Sequence, residues 1–205
     1  LYVSTLACSL ASRIVCYETE ADVIFVDVDP KTKRTSDGRD HHTVHPLGMV
    51  PALELAPQDV LVENAAILQY LGERAPERAL VPKSLREAAA LRQWLSFIGT
   101  ELHKAVFAPF FDEEASDEIK RYALALVPAR LSLLEAHLRN SPFLLAEYSV
   151  ADAYLFAVLN WFAVTPIALR SYPHVSAYHA RLLERPAIAR AFGEERKRYA
   201  EQSKR

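Results

Sequence analysis

Over the first third of the chain, apolar positions alternate between short strand-like runs and helical spacing. Leu1-Tyr2-Val3 predicts a short strand and Ser4 to Ala7 a turn. From Cys8 onward, Leu10, Ile14, Val15 and Tyr17 recur at helical intervals. Val23 to Val28 is an apolar run rich in β-branched residues, which predicts a second strand. The polar stretch from Asp29 to His42 leaves room for one short helix. Ala52 to Leu55 and Val60 to Val62 read as two close strands, with turn chemistry in Pro57-Gln58-Asp59 between them. Asn64 to Arg74 then predicts a helix with Ile67, Leu68 and Leu71 on one face. This order implies a mixed sheet layered with helices.

The pattern changes at Ala75-Pro76. Residues 75–83 hold two prolines and few large apolar side chains, and they read as a linker between a domain at 1–74 and another at 84–205. Beyond the linker only helices are expected: Leu85 to Ala105, Glu118 to Asn140 with a kink at Pro128, Ser149 to Val164, Val175 to Leu183 and Ala187 to Ala200. Pro109 is expected to bend or end the first of these. Ser149-Val150-Ala151-Asp152 has the form of a capping box ahead of an apolar run. The fold class is thus α/β plus all-α.

With 51% hydrophobic residues among 205, the chain can bury a sizeable core. A formal charge of -2 and a pI near 6.4 argue against a general binder of nucleic acid or anionic membrane. The cluster Glu195-Arg196-Lys197-Arg198, with Lys204 and Arg205, reads as a solvated helix end and tail. Tyr154 to Leu169 is the longest apolar run, and Asn160, Thr165 and Pro166 interrupt it, so it reads as a buried core helix. No signal-peptide pattern opens the chain, and Leu1 lies within a strand, so native residues are expected upstream. Cys8 and Cys16 do not make a disulfide framework and fit a reducing cytosolic compartment. Five glycines assemble neither a dinucleotide fingerprint nor a P-loop.

The candidate chemistry lies around Pro51. A proline directly ahead of a short strand must occupy its first position, and X-Pro is the bond type in which a cis peptide costs little. A cis Val50-Pro51 would turn the Val50 backbone outward to pair with an extended peptide ligand. Glu63-Asn64 opens the next helix, with Asn64 as the expected N-cap and the helix amides as an attraction for a carboxylate. Cys8 stands where the first strand hands over to the first helix, a position that stabilises a thiolate. Cys16 lies two turns on, ~12 Å along the axis, too far to resolve a disulfide at Cys8, and reads as core. His41, His42 and His45 lack ligand spacing and read as surface loop residues. His103 falls mid-helix. Phe107, Phe110, Phe111 and Trp161 are apolar residues able to line a pocket.

Several segments resemble bacterial beta-class glutathione transferases: Leu1-Tyr2, Ala7-Cys8-Ser9-Leu10, Asp29 to Gly38, His45 to Leu55, Glu63 to Leu71, Thr100 to Lys104, Ser149 to Phe156 and Tyr178 to Pro186. No segment is specific by itself; their succession in order along the chain is. The resemblance implies a thioredoxin-like N-terminal domain, a helical C-terminal domain carrying the second-substrate pocket (Phe107, Phe110, Trp161) and a cytoplasmic homodimer. It gives Cys8 and His103 catalytic roles. It assigns glutathione binding to Lys33, Met49, Val50, Pro51, Glu63, Asn64, Thr100, Glu101 and Lys104, with Thr100 and Glu101 reaching glutathione in the neighbouring subunit. The chain departs from the family at Thr5-Leu6, where Pro-Gly is usual, at Met49, where Gln or Lys is commoner, and at Asn64, where Gly or Ser is.

The implied activity is attack of the glutathione thiolate on small apolar electrophiles, a detoxification reaction in which glutathione is co-substrate and no metal takes part. Two alternatives stand beside it: glutathione-dependent thiol-disulfide exchange with Cys8 as nucleophile, and a glutathione-binding module without turnover.

Overall fold

A computed structural model describes residues 1–202 of the chain. They form two compact units. The first runs from Leu1 to Val81 and takes in the chain from Arg185 onward; the second spans Pro82–Glu184.

The first unit is built on a four-stranded sheet in the order β2-β1-β3-β4. Strand β1 (Tyr2–Val3) pairs parallel with β2 (Val26–Asp27) and antiparallel with β3 (Ala52–Ala56), which in turn pairs antiparallel with β4 (Asp59–Val62). Helix α1 (Ser9–Glu18) follows β1, and α2 (Asn64–Glu73) follows β4. The fully buried Leu10, Ile14, Ile67 and Leu68 come from the facing stripes of α1 and α2, which pack on each other. Tyr2, Val28 and Ala52, with Val26, Val44, Val50, Val60 and Val62 around them, form a separate apolar cluster.

Strand β2 is much shorter than the apolar run that predicts it. Its register covers only Tyr2↔Val26 and Val3↔Asp27, and Ile24 is solvent-exposed. The polar stretch after it forms a compact turn-rich loop with two isolated bridges, Val28↔Thr35 and Arg34↔Asp40. Its one helical turn is a 3-10 turn at His41–Thr43, later than expected, where the Asp40 carboxylate accepts the His42 amide.

The last helix, α8 (Pro186–Gln202), groups with the sheet and not with the other C-terminal helices, unlike the expected boundary at 84–205. Ionic fastenings explain this. Arg185 grips Glu18 with Nε and Nη2 at 3.0 and 3.1 Å, and Arg198 holds the Asp27 carboxylate at 2.6 and 2.5 Å. The Arg13 Nε donates to Glu195 Oε1 at 2.9 Å, with both side chains 1% exposed. The expected solvated helix end is therefore wrong for Glu195, which is buried, and Arg198 is a half-exposed fastener; Lys204 and Arg205 lie outside the described residues.

The second unit is helical. Helix α3 (Leu85–Phe97) continues without a break into a π-helical stretch, Ile98–Phe107, and then into α4 (Ala108–Phe111). Pro109 does not end the helix at its own position: it lies one residue into α4, and the helix runs on two residues to Phe111. The wide winding places the Ala108 amide on the His103 carbonyl. Helix α5 (Asp117–Leu138) carries Pro128 inside it, and α7 (Pro173–Leu183) packs against α5. All ten residues of α6 (Val150–Leu159) are buried, so the apolar run Tyr154 to Leu169 is a core helix only as far as Leu159; a 3-10 turn follows at Asn160–Val164, where Val164 is exposed. Its start is fixed by the Asp152 carboxylate, which accepts the Ser149 amide at 2.8 Å, the Ser149 hydroxyl at 2.9 Å, the Leu144 amide at 2.9 Å and the Tyr178 hydroxyl at 2.7 Å. Among the described residues, no helix is long and apolar enough to cross a membrane.

Candidate functional site

In the first unit the chain turns sharply between β1 and α1. Cys8 is the N-cap residue of α1 and is 8% exposed. Its thiol lies 3.3 Å from the Val50 carbonyl oxygen, to which it donates. The Val50-Pro51 bond is cis, and Pro51 leads directly into β3. A helix N-terminus and the residue before a strand thus converge on one sulfur.

Three supports hold that convergence. Ser9 Oγ accepts the Ser4 amide at 3.1 Å and donates to the Ser4 carbonyl at 3.2 Å, which closes the turn. Leu6, at φ 56°, occupies the left-handed region that a glycine would enter without strain, and its amide is taken by Glu195 Oε2 at 2.7 Å. Asn64 donates to the Cys8 carbonyl at 3.1 Å and accepts the Ser12 hydroxyl at 2.8 Å.

Asn64 is therefore not the N-cap of α2. It is the first helical residue and buried, and the cap is Glu63, exposed and at φ 69°. An amide side chain can bridge two helices with its donor and acceptor at once, and here that outcompetes local capping. Glu63 presents its carboxylate at the start of α2, while its carbonyl accepts the Ala66 and Ile67 amides at 3.0 Å.

The loop at 40–49 buries two of its three histidines. His41 is fully buried and His45 nearly so; only His42 has the exposed position expected of all three. The His41 Nε2 is 2.8 Å from the Met49 carbonyl, and the His45 Nδ1 accepts the Leu47 amide at 3.1 Å. Gly48, at φ 60°, passes so close to His42 that a Cβ there would fall 2.8 Å from its Nε2. Lys33, half-buried and at φ 56°, gives its carbonyl to the His41 amide at 2.9 Å. Met49 is exposed. Cys16 is core, and burial pushes its thiol up to about 12. Among the described residues no group of three or more His, Cys, Asp or Glu is placed to hold a metal ion.

In the second unit, His103 sits on the π-helical stretch. Its Nδ1 pairs with the Tyr154 hydroxyl at 2.9 Å, and its ring lies edge-on to Trp161 with centroids 4.9 Å apart. Burial, and then the neighbouring Lys104 charge, bring its pKa down to about 4, so the imidazole is neutral near pH 7. Phe107 is fully buried between Trp161 and Phe162, Phe110 is half-buried, and Phe111 exposes its ring beside Trp161. Glu101 pairs with Arg130 at 2.8 Å, the Thr100 hydroxyl bonds the Ser96 carbonyl at 3.0 Å, and Lys104 is exposed.

The profile of the glutathione S-transferase N-terminal domain matches residues 2–73, and that of the C-terminal domain matches residues 100–186. The chain belongs to the glutathione S-transferase family. It is 36% identical to glutathione S-transferase GstA of Escherichia coli O157:H7, across 92% of this chain and 94% of that protein. Among solved structures of the family, a ternary complex of the bacterial transferase BphK superposes with a TM-score of 0.91 at 38% identity, covering 95% of this chain and 98% of that one. A sphingomonad glutathione S-transferase complexed with glutathione superposes with a TM-score of 0.90 at 40% identity over the same shares. A beta-class glutathione S-transferase from Sphingomonas chungbukensis does so at 0.90 and 41%, again over 95% of this chain and 98% of that one. The thioredoxin-like sheet and the helical unit are the two parts of this fold.

Proposed function

We propose that this chain is a glutathione S-transferase that joins the glutathione sulfur to small apolar electrophiles. The sulfur, as thiolate, attacks an electrophilic carbon and forms the C–S bond. The electron pair leaves with a displaced halide or an opened epoxide oxygen, and the thiol proton goes to solvent. One observation carries the reading: the Cys8 thiol, at the N-cap of α1, stands 3.3 Å from the Val50 carbonyl just ahead of cis Pro51. An extended peptide pairing with Val50 would bring its own thiol to this helix N-terminus, where a thiolate is favoured.

In this proposal Val50, Pro51 and Met49 pair with the cysteinyl segment of glutathione. Glu63 and Asn64 take its γ-glutamyl end, Asn64 by holding the α2 terminus against α1. Lys33 and Lys104 take polar contacts, Thr100 and Glu101 reach the glutathione of the neighbouring subunit, and Phe107, Phe110 and Trp161 receive the apolar co-substrate. Neutral His103 serves as a hydrogen-bonding and proton-handling group, not as a cation. A homodimer, a cytoplasmic location and a detoxifying role belong to the same proposal, and sedimentation would check the first. That the relatives are named as transferases favours conjugation over exchange at Cys8 or binding without turnover.

The test is calorimetry with glutathione, followed by initial rates with halogenated and epoxide electrophiles. Saturable glutathione uptake and thioether formation are expected. No detectable uptake overturns the proposal.

A further inference from the structure

His41 touches the chain at both ends of the loop just described. Its amide donates to the Lys33 carbonyl at 2.9 Å, its carbonyl accepts the Val44 and His45 amides at 2.9 Å, and its Nε2 reaches the Met49 carbonyl at 2.8 Å. Lys33 and Met49 are two positions assigned to glutathione above, so one buried residue ties both to a common frame. The imidazole cannot swing: the Tyr2 ring packs on it with centroids 5.1 Å apart, and the His45 ring lies 6.3 Å away.

A carbonyl accepts and does not donate, so the contact with Met49 requires the proton on Nε2. The other nitrogen, Nδ1, is buried without a hydrogen-bond partner among the described residues. A lone pair there is tolerated better than an unpaired N–H. Both nitrogens therefore select the same neutral tautomer. Burial, and to a lesser degree electrostatic repulsion from the neighbouring basic side chains, lowers the tendency of the ring to take a second proton, and the Met49 carbonyl opposes this only in part.

The Met49 carbonyl and the Val50 N–H belong to one planar trans peptide, so they point in opposite directions. Fixing the carbonyl on His41 aims the Val50 N–H away from it, on the side where a paired strand would have to accept it. We propose that His41 is a positioning residue for glutathione, orienting the Val50 amide through the Met49 peptide. This rests on the function proposed above. It makes His41 a determinant of glutathione affinity and leaves the apolar co-substrate untouched.

The test compares His41→Phe, which keeps the ring packing on Tyr2 but has no donor, with His41→Gln, whose amide nitrogen reaches a similar distance. Loss of one hydrogen bond should raise the KM for glutathione roughly three- to tenfold. The KM for the electrophile and the rate at saturating glutathione should stay within about twofold. His41→Gln should recover most of the glutathione affinity. In the wild type, nitrogen-detected imidazole spectra should show the Nε2-H tautomer, with the resonance moving on addition of glutathione; this readout stands even where His41→Phe does not fold. An unchanged glutathione KM in His41→Phe, equal impairment in both variants, or the Nδ1-H tautomer overturns the inference. Wild-type protein that takes up no glutathione overturns the proposed function itself, whereas normal uptake by the wild type and by His41→Phe alike overturns only the role of His41.

Discussion

Arg13 and Glu195 form a buried ion pair whose removal should be the most costly single change in the first unit. Arg13 Nε donates to Glu195 Oε1 at 2.9 Å, both side chains are 1% exposed, and the guanidinium carbon lies 4.2 Å from the Phe25 ring centroid. The second Glu195 oxygen holds the Leu6 amide at 2.7 Å, while Glu194 lies 3.8 Å from Arg13 Nη1 and takes the Tyr17 hydroxyl. Replacing either partner alone strands a charge out of water, which costs about 3–5 kcal/mol. Replacing both, as in Arg13→Met with Glu195→Leu, removes the stranded charge and leaves mainly the lost Leu6 contact, about 1 kcal/mol. Urea unfolding at fixed protein concentration reads these values from the shift in midpoint at constant slope. The single variants should melt roughly 6–20 °C lower, at about 2–4 °C per kcal/mol for this size, and the double variant should recover most of that loss. Single losses under about 1 kcal/mol, or a double variant equal to the sum of the singles, would refute the account of a desolvated, coupled pair.

Other expectations are independent of that pair. Cys8→Ala should abolish thiol-disulfide exchange and leave part of the conjugation rate, measured with a halogenated electrophile; complete loss of conjugation would make Cys8 indispensable and contradict a helix terminus acting on the glutathione sulfur. The folded pKa of His103, about 4 against an ordinary 6.5, means that the unfolded chain binds a proton first as pH falls. Its contribution is therefore full above pH 6.5 and lost toward pH 4, on the order of 2–3 kcal/mol. His103→Gln should flatten the pH dependence of unfolding in that window, and an unchanged slope would show that the ring is not kept neutral by burial. Tyr178→Phe removes a buried donor 2.7 Å from Asp152 Oδ1 and should cost about 1–3 kcal/mol in urea unfolding; a loss below about 0.5 kcal/mol would mean the Ser149 and Leu144 contacts already satisfy the carboxylate.

Where the structural cause is local, the sequence carried it. The turn into α1 at Cys8, the strand after Pro51, the Pro57-Gln58 turn and the Ser149-Asp152 box each depend on a few neighbouring residues, and they fold where patterning places them. Within the β-branched run Val23 to Val28, Val26 and Asp27 pair with Tyr2 and Val3. The Arg13–Glu195 contact spans 182 positions; Glu195 falls on the buried stripe of Ile188 and Ala191, but no local pattern names Arg13 as its partner. Along the chain it reads as one member of a charged run, because composition cannot tell a solvated face from a packed one.

Four residues with unusual surroundings lie close together. Leu6 in its left-handed conformation, Asn64 bridging two helices instead of capping one, His41 buried under Tyr2, and Glu195 buried beside Arg13 all surround one feature, the Cys8 thiol and the Val50 carbonyl 3.3 Å away. Each breaks a local rule: a bulky residue at positive φ, a good cap off its cap, a histidine and a carboxylate out of water. Local rules are violated together where a fold must hold backbone groups in an arrangement that no regular element supplies. Here the arrangement is a helix terminus facing the residue ahead of a strand, and three of the four hold it: Glu195 on the incoming loop at Leu6, Asn64 on the outgoing helix at the Cys8 carbonyl, and His41 on the peptide before Val50. The same exceptions that defeat pattern reading therefore mark the residues worth mutating first.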